Sequence, residues 1–230
     1  MEMERGRSRH IPTKVVEAKN GISLSAILSI NDKLTAVYGS QFAIFGGTAI
    51  LIMTGKPREN YEGKYARLSD VDVFVPAMTG EYASLLRKQE LVPSDGLDGH
   101  CYIYHKDPDI GYIPIDLTFA FGREFFGVPY SIISETVVPL ALSRDGSVQQ
   151  SIPASGNPVM VVGTPMLVIF KALARGRHEK DARDLRRLIE THYGGSSSRF
   201  IEEEGELIKR VADSNPDLSR AVLEYSLRSS

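Results

Sequence analysis

Asp70 and Asp72 open a β-branched run, Val71 to Val75, that Pro76 ends, the pattern of a strand. Side chains alternate across a strand, so the two carboxylates should project to one face with their Cα atoms about 6.5 Å apart. Asp116 stands inside the apolar run Ile113-Pro114-Ile115-Asp116-Leu117-Thr118-Phe119, where a solitary charge would be costly to bury. A cation answers that need. If the two strands are neighbours, three hard oxygen ligands converge, as suits Mg²⁺ bridging triphosphate oxygens, with two ions expected and Mn²⁺ the alternative. Asp70, Asp72 and Asp116 are therefore the expected metal ligands and catalytic residues, with Asp116 the candidate general base.

Phosphate approaching three carboxylates would be repelled unless donors and positive charge hold it. Gly46-Gly47-Thr48 can supply donors, since glycines let backbone N–H groups turn toward a phosphate at a helix N-terminus and the Thr48 hydroxyl can add a hydrogen bond. The chemistry this arrangement suits is in-line attack of an acceptor hydroxyl on the α-phosphate of an NTP, with pyrophosphate leaving.

The elements that must position these residues can be read from periodicity. Ser23 to Tyr38 has the spacing of an amphipathic helix, and Phe42 to Phe45 reads as a short strand. Gly46-Gly47 then turns the chain into a helix over Thr48 to Met53, and Gly55 to Lys64 reads as a polar loop. A helix is expected over Thr79 to Glu90, and a hairpin from Cys101–His105 and Tyr112–Phe121 around the turn Lys106 to Gly111. Val137 to Leu142 and Pro158 to Val162 are read as strands, with Pro153 to Asn157 a loop between them. From Pro165 the pattern turns helical, near 166–175, 179–192, 198–212 and 216–228, punctuated by Gly194-Gly195 and Asn215-Pro216. The fold class is thus α/β (α+β), a small mixed sheet flanked by helices and followed by a helical region. Its expected parts are a flexible tail over 1–20, an α/β domain over 21–163 and a helical domain over 164–230.

The 230 residues suffice for a sizeable core without cross-links, and the single cysteine, Cys101, fits a reducing, cytoplasmic location. The longest near-apolar run, Phe42 to Met53, falls well short of the roughly 20 residues that span a bilayer, so no membrane partner is expected. The net charge of −2 hides a polarised end. Thr164 to Arg187 holds seven Lys or Arg against three Asp or Glu, and the acidic cluster Glu202, Glu203, Glu204 and Glu206 follows. Clustered basic residues favour a phosphate backbone, although triphosphate binding alone accounts for them as well.

The order Gly46-Gly47-Thr48-Ala49, then Arg67-x-Ser69-Asp70-Val71-Asp72, then Ile115-Asp116-Leu117 resembles the polymerase-beta-type nucleotidyltransferase superfamily. Lys171-Ala172-Leu173-Ala174-Arg175 followed by Lys180-Asp181-Ala182-Arg183-Asp184-Leu185 is similar to the helical motifs of its AbiEii-like branch, and minimal nucleotidyltransferases are related. The resemblance spans about Phe42 to Ile189. It implies a nucleotidyltransferase fold, with Gly46, Gly47, Thr48, Arg67 and Ser69 about the nucleotide, Asp70 and Asp72 on metal and Asp116 as third carboxylate. It further implies that Lys171 reaches the nucleotide phosphates and that Asp181 orients it or another basic group. The branch includes toxins of toxin–antitoxin systems, some acting on tRNA ends, so RNA (tRNA), a protein acceptor and a toxin–antitoxin partner protein are the implied partners. One departure stands out: twenty-two residues, 48 to 69, separate Gly47 from Asp70, more than is usual in the superfamily.

Two further functions stay open, a catalytically inactive nucleotide-binding regulatory partner and an aminoglycoside nucleotidyltransferase. Asp184 is read as a helix-surface ion pair with Arg177, Lys180 or Arg187. His100, His105, His178 and His192 lack ligand spacing and are read as surface or packing residues, and Tyr102 and Tyr104 as cross-strand packing.

Overall fold

The computed structural model describes residues 21–55, 58–59, 65–66, 70–93, 100–108, 111–118, 138–143, 147–150, 158–174 and 179–214. The expected tail over 1–20, the helix near 216–228, the loop Pro153 to Asn157 and the residues Arg67, Ser69, Arg175 and His178 lie outside them.

Helix α1, Leu24–Tyr38, starts where Ser23 caps it, the hydroxyl accepting from the Ala26 N–H. Strand β1, Ala43–Phe45, runs directly into α2, Gly46–Thr54. The expected glycine loop is therefore the first turn of the helix itself. Gly46 has φ +65°, a left-handed value that lets the chain change direction within one residue.

The expected loop over Gly55 to Lys64 includes a short strand, β2 (Arg58–Glu59), which pairs antiparallel with β3 (Tyr65–Ala66) just beyond it. Next come β4 (Val71–Phe74), α3 (Gly80–Lys88), β5 (Val92–Pro93), β6 (His100–Asp107) and β7 (Gly111–Thr118). The expected strand over Val137 to Leu142 is instead a helix, α4, Val138–Leu142. Pro139 explains the difference: it lacks the N–H a ladder needs, but it suits the first turn of a helix. Strand β8 (Ser147–Gln150) escaped the apolar pattern, and β9 (Val159–Val162) matches its expectation. Helices α5 (Thr164–Ala174) and α6 (Glu179–Tyr193) follow, and the expected helix over 198–212 is two, α7 (Ser197–Glu203) and α8 (Gly205–Ser214), broken beside Gly205.

The sheet order is β5-β6-β7-β4-β1-β9-β8. β4 pairs parallel with β7 and antiparallel with β1, while β1 pairs parallel with β9, so the sheet is mixed. The fold class is the one expected, a mixed sheet with helices on it and a helical stretch after it. Val71, Val73, Cys101, Ile103, Ile113, Ile115 and Leu117 form one buried face of its β6-β7-β4 part. α1 lies on that side, its Tyr38 and Lys33 close enough to act electrostatically on Cys101 and His105 of β6. Tyr38 in turn packs against Tyr82 of α3 in a tilted pair, 4.6 Å between ring centroids. Asn31 of α1, fully buried, donates to the Pro158 carbonyl at 3.3 Å and accepts from the Met160 N–H at 3.1 Å, satisfying the backbone where β9 begins.

The opposite face carries Phe45, Asp72, Phe74, Asp116 and Tyr102, because these residues are register partners or alternate with them. Phe45 stacks on Phe74 at 3.9 Å, and Phe170 of α5 packs on both rings at 6.3 and 5.3 Å. One continuous core therefore joins the sheet to the helices that follow it.

Candidate functional site

The parallel pairing of β4 with β7 sets Asp72 directly opposite Asp116. Adjacent strands lie about 4.8 Å apart, so two carboxylates share one patch of one sheet face. Both residues are half-buried, whereas Val71, Val73, Ile115 and Leu117 on either side of them are sealed in the core. The charge in the apolar strand is thus explained by alternation: Asp116 uses the polar side of β7. Asp70 sits just before β4 and is exposed.

On the other flank of β4, Phe45 is the partner of Asp72, which brings Gly46 against the carboxylate. A Cβ at Gly46 would stand 1.9 Å from Asp72 Oδ2 and 2.8 Å from its Cγ. Only a glycine leaves room for the aspartate, and only a glycine takes the φ of that turn without strain. The long interval between Gly47 and Asp70 in the chain is closed in space, with residues of β2 and β3 occupying part of it. Phe45, the N-cap of α2, has no side chain able to bond the first N–H groups of the helix, so the residue before the turn does not cap them, and this helix start lies beside Asp72. Thr48 is buried, and its hydroxyl donates to the Asp70 carbonyl at 3.4 Å, tying the turn to the chain entering β4.

Lys171 lies next to Phe170, on the helix that packs over the Phe45 and Phe74 rings. Its ammonium is buried between two carboxylates of α6, 2.5 Å from Asp181 Oδ1 and 3.1 Å from Asp184 Oδ2. Asp181 and Asp184 are three residues apart and so share one face of the helix. Asp181 pairs with Lys171. Asp184 is not the surface ion pair read from the sequence: it is 2% exposed and closes the other side of the Lys171 ammonium. Its spacing from Asp181 was visible in the sequence, but the shared partner on α5 was not.

Tyr102 is the β6 partner of Asp116, and Tyr104 is the partner of Pro114, both on the half-open face, as cross-strand packing requires. Cys101, buried on the other face, has its thiol pushed up to about 12, first by burial and then by the charge of Asp116. His105 is buried with Nδ1 unbonded; burial and then Lys33 lower its pKa, against the opposing pull of Asp107 and Glu90. Among the described residues no three His, Cys, Asp or Glu side chains are gathered into a ready-made metal cage, and no helix is long and apolar enough to cross a membrane.

Fold and site together define a mixed α/β protein with an acidic pair on a sheet face and a glycine turn pressed against it. No protein-family model matches the chain, and no curated protein matches it. Among solved structures it is similar to the crystal structure of an antigenic nucleotidyltransferase-like protein from Paracoccidioides brasiliensis, at 17% identity and a TM-score of 0.48, over 87% of this chain and 94% of that one.

Proposed function

We propose that the chain is a magnesium-dependent nucleotidyltransferase that moves an NMP from an NTP to a hydroxyl of RNA or of a protein. The observation that carries this reading is the Asp72–Asp116 pairing across two parallel strands, with Gly46 against Asp72. Mg²⁺ is commonly held by one or two carboxylates together with substrate phosphates and water, rather than by an all-protein cage. Two opposed carboxylates, with Asp70 close in sequence, fit that ion. When bound, it would neutralise triphosphate charge and polarise the α-phosphate. The chain's own share is to offer the first-turn N–H groups of α2 to phosphate oxygens and to hold Asp116 where it can take the acceptor proton. Lys171, enclosed by Asp181 and Asp184, would fasten α5 to α6 on the same side of the sheet rather than reach the phosphates; Arg67 and Ser69 would add donors before Asp70.

The finer reading, an AbiEii-like enzyme of a toxin–antitoxin pair working in the cytoplasm, rests on the motif resemblance and on the lone reduced cysteine. The test is incubation of the protein with each α-labelled NTP and Mg²⁺, separately with tRNA, total protein or an aminoglycoside. Label should enter RNA or protein and vanish in Asp72→Asn. Transfer that survives this substitution refutes the mechanism, transfer to an aminoglycoside alone moves the enzyme to that class, and no transfer to any acceptor makes it a regulatory partner.

A further inference from the structure

The far end of α2 is fastened to α6. The last four carbonyls of a helix lack partners within it. In α2 these are the carbonyls of Leu51 to Thr54, and that of Leu51 accepts from the Gly55 N–H. The Met53 carbonyl accepts from His192, in the last turn of α6. His192 Nε2 is buried and makes no hydrogen bond, so Nδ1 is the donor and the neutral ring is fixed in one tautomer.

We propose that His192 is a positioning residue for the glycine turn, holding α2 at the depth and rotation that place Gly46 against Asp72. Met53 lies seven positions beyond Gly46, about 10 Å along a helix that moves as a rod. A shift at its end is therefore delivered at its start, where the contact with Asp72 leaves no slack. α6 is itself anchored eleven residues earlier, about 16 Å away, where Asp181 and Asp184 grip Lys171 of α5. The helix thus ties the two parts of the site that the sheet alone does not connect. α2 packs on both α5 and α6, in keeping with this joint.

The inference leans on the nucleotide-transfer reading for its activity readout alone. Two full-length variants test it, His192→Phe, which fills the site without a donor, and His192→Asn, whose amide can stand in for Nδ1–H. In His192→Phe, amide hydrogen exchange should quicken about tenfold through α2, the worth of one buried hydrogen bond, and stay unchanged in α1 and α3. KM for the transferred NTP should rise about tenfold with kcat changed far less, and His192→Asn should restore both. Exchange that is unaltered in α2, or that rises equally in α1 and α3, overturns the proposal, as does failure of Asn to rescue. If the wild-type protein transfers no nucleotide, the transfer reading fails while the exchange data still decide the role of His192.

Discussion

The Asp72 carboxylate occupies the space in which a side chain at Gly46 would have to stand, so any Cβ there would push the carboxylate aside. One belongs to the turn that ends β1, the other to the strand that pairs with it.

Replacing Gly46 with Ala should be far more damaging than the same change at Gly55, a left-handed glycine at the other end of α2 with nothing near its missing Cβ. Gly55→Ala should lose about 1–2 kcal/mol, the strain of the left-handed backbone alone. Gly46→Ala adds a collision with Asp72, and transfer should fall at least about a hundredfold, since a misplacement on the order of 1 Å at a reacting centre has that effect. Urea midpoints and initial rates of both variants check it.

Asp116→Asn should abolish transfer without destabilising the fold. Two carboxylates opposed on adjacent strands repel each other, so neutralising one should leave the protein as stable as before or about 0.2–1 kcal/mol more so. Thermal melts beside labelled transfer assays decide the matter; a variant that loses both stability and activity would point to a structural aspartate.

The Lys171 triad is a buried ionic unit, and removing its centre should be severe. Lys171→Met leaves two carboxylates buried without it and should lose about 3–5 kcal/mol in denaturant unfolding. The triple replacement Lys171→Met/Asp181→Leu/Asp184→Leu should recover most of that stability while remaining inactive in transfer.

Acid should weaken the fold through two histidines, buried His105 and half-buried His192. His105 and His192 both have folded pKa values below the ordinary 6.5, mainly because burial disfavours the imidazolium. Above 6.5 neither folded nor unfolded chain binds the proton; below it the unfolded chain does first, so stability falls as pH drops. His105→Leu should flatten the fall between pH 6.5 and 5 in urea titrations, its Nδ1 having no bond to lose.

Cys101 should be silent toward thiol reagents in the native protein at neutral pH. It is buried and its thiol is held up to about 12, so the reactive thiolate is scarce. As the sole cysteine it makes a clean probe: its labelling rate should follow urea-induced opening of β6 and reach that of a free thiol only on unfolding.

The sequence by itself determined the elements that bear the chemistry. β-branched residues around Asp72, alternation around Asp116 and the apolar run broken by Gly46 are local signals, and local propensity and periodicity settle local structure. The run Val138-Pro139-Leu140-Ala141-Leu142 was misread because its hydrophobicity outweighed the one proline that excluded a ladder. The tertiary structure decided everything that depends on which elements meet. Strand order put Asp72 opposite Asp116 and Gly46 against Asp72 across a long stretch of chain, and helix packing turned Asp184 inward to Lys171 and His192 onto Met53. Such contacts join residues far apart in the chain, and they are selected by how the whole core packs, a quantity no window of sequence contains.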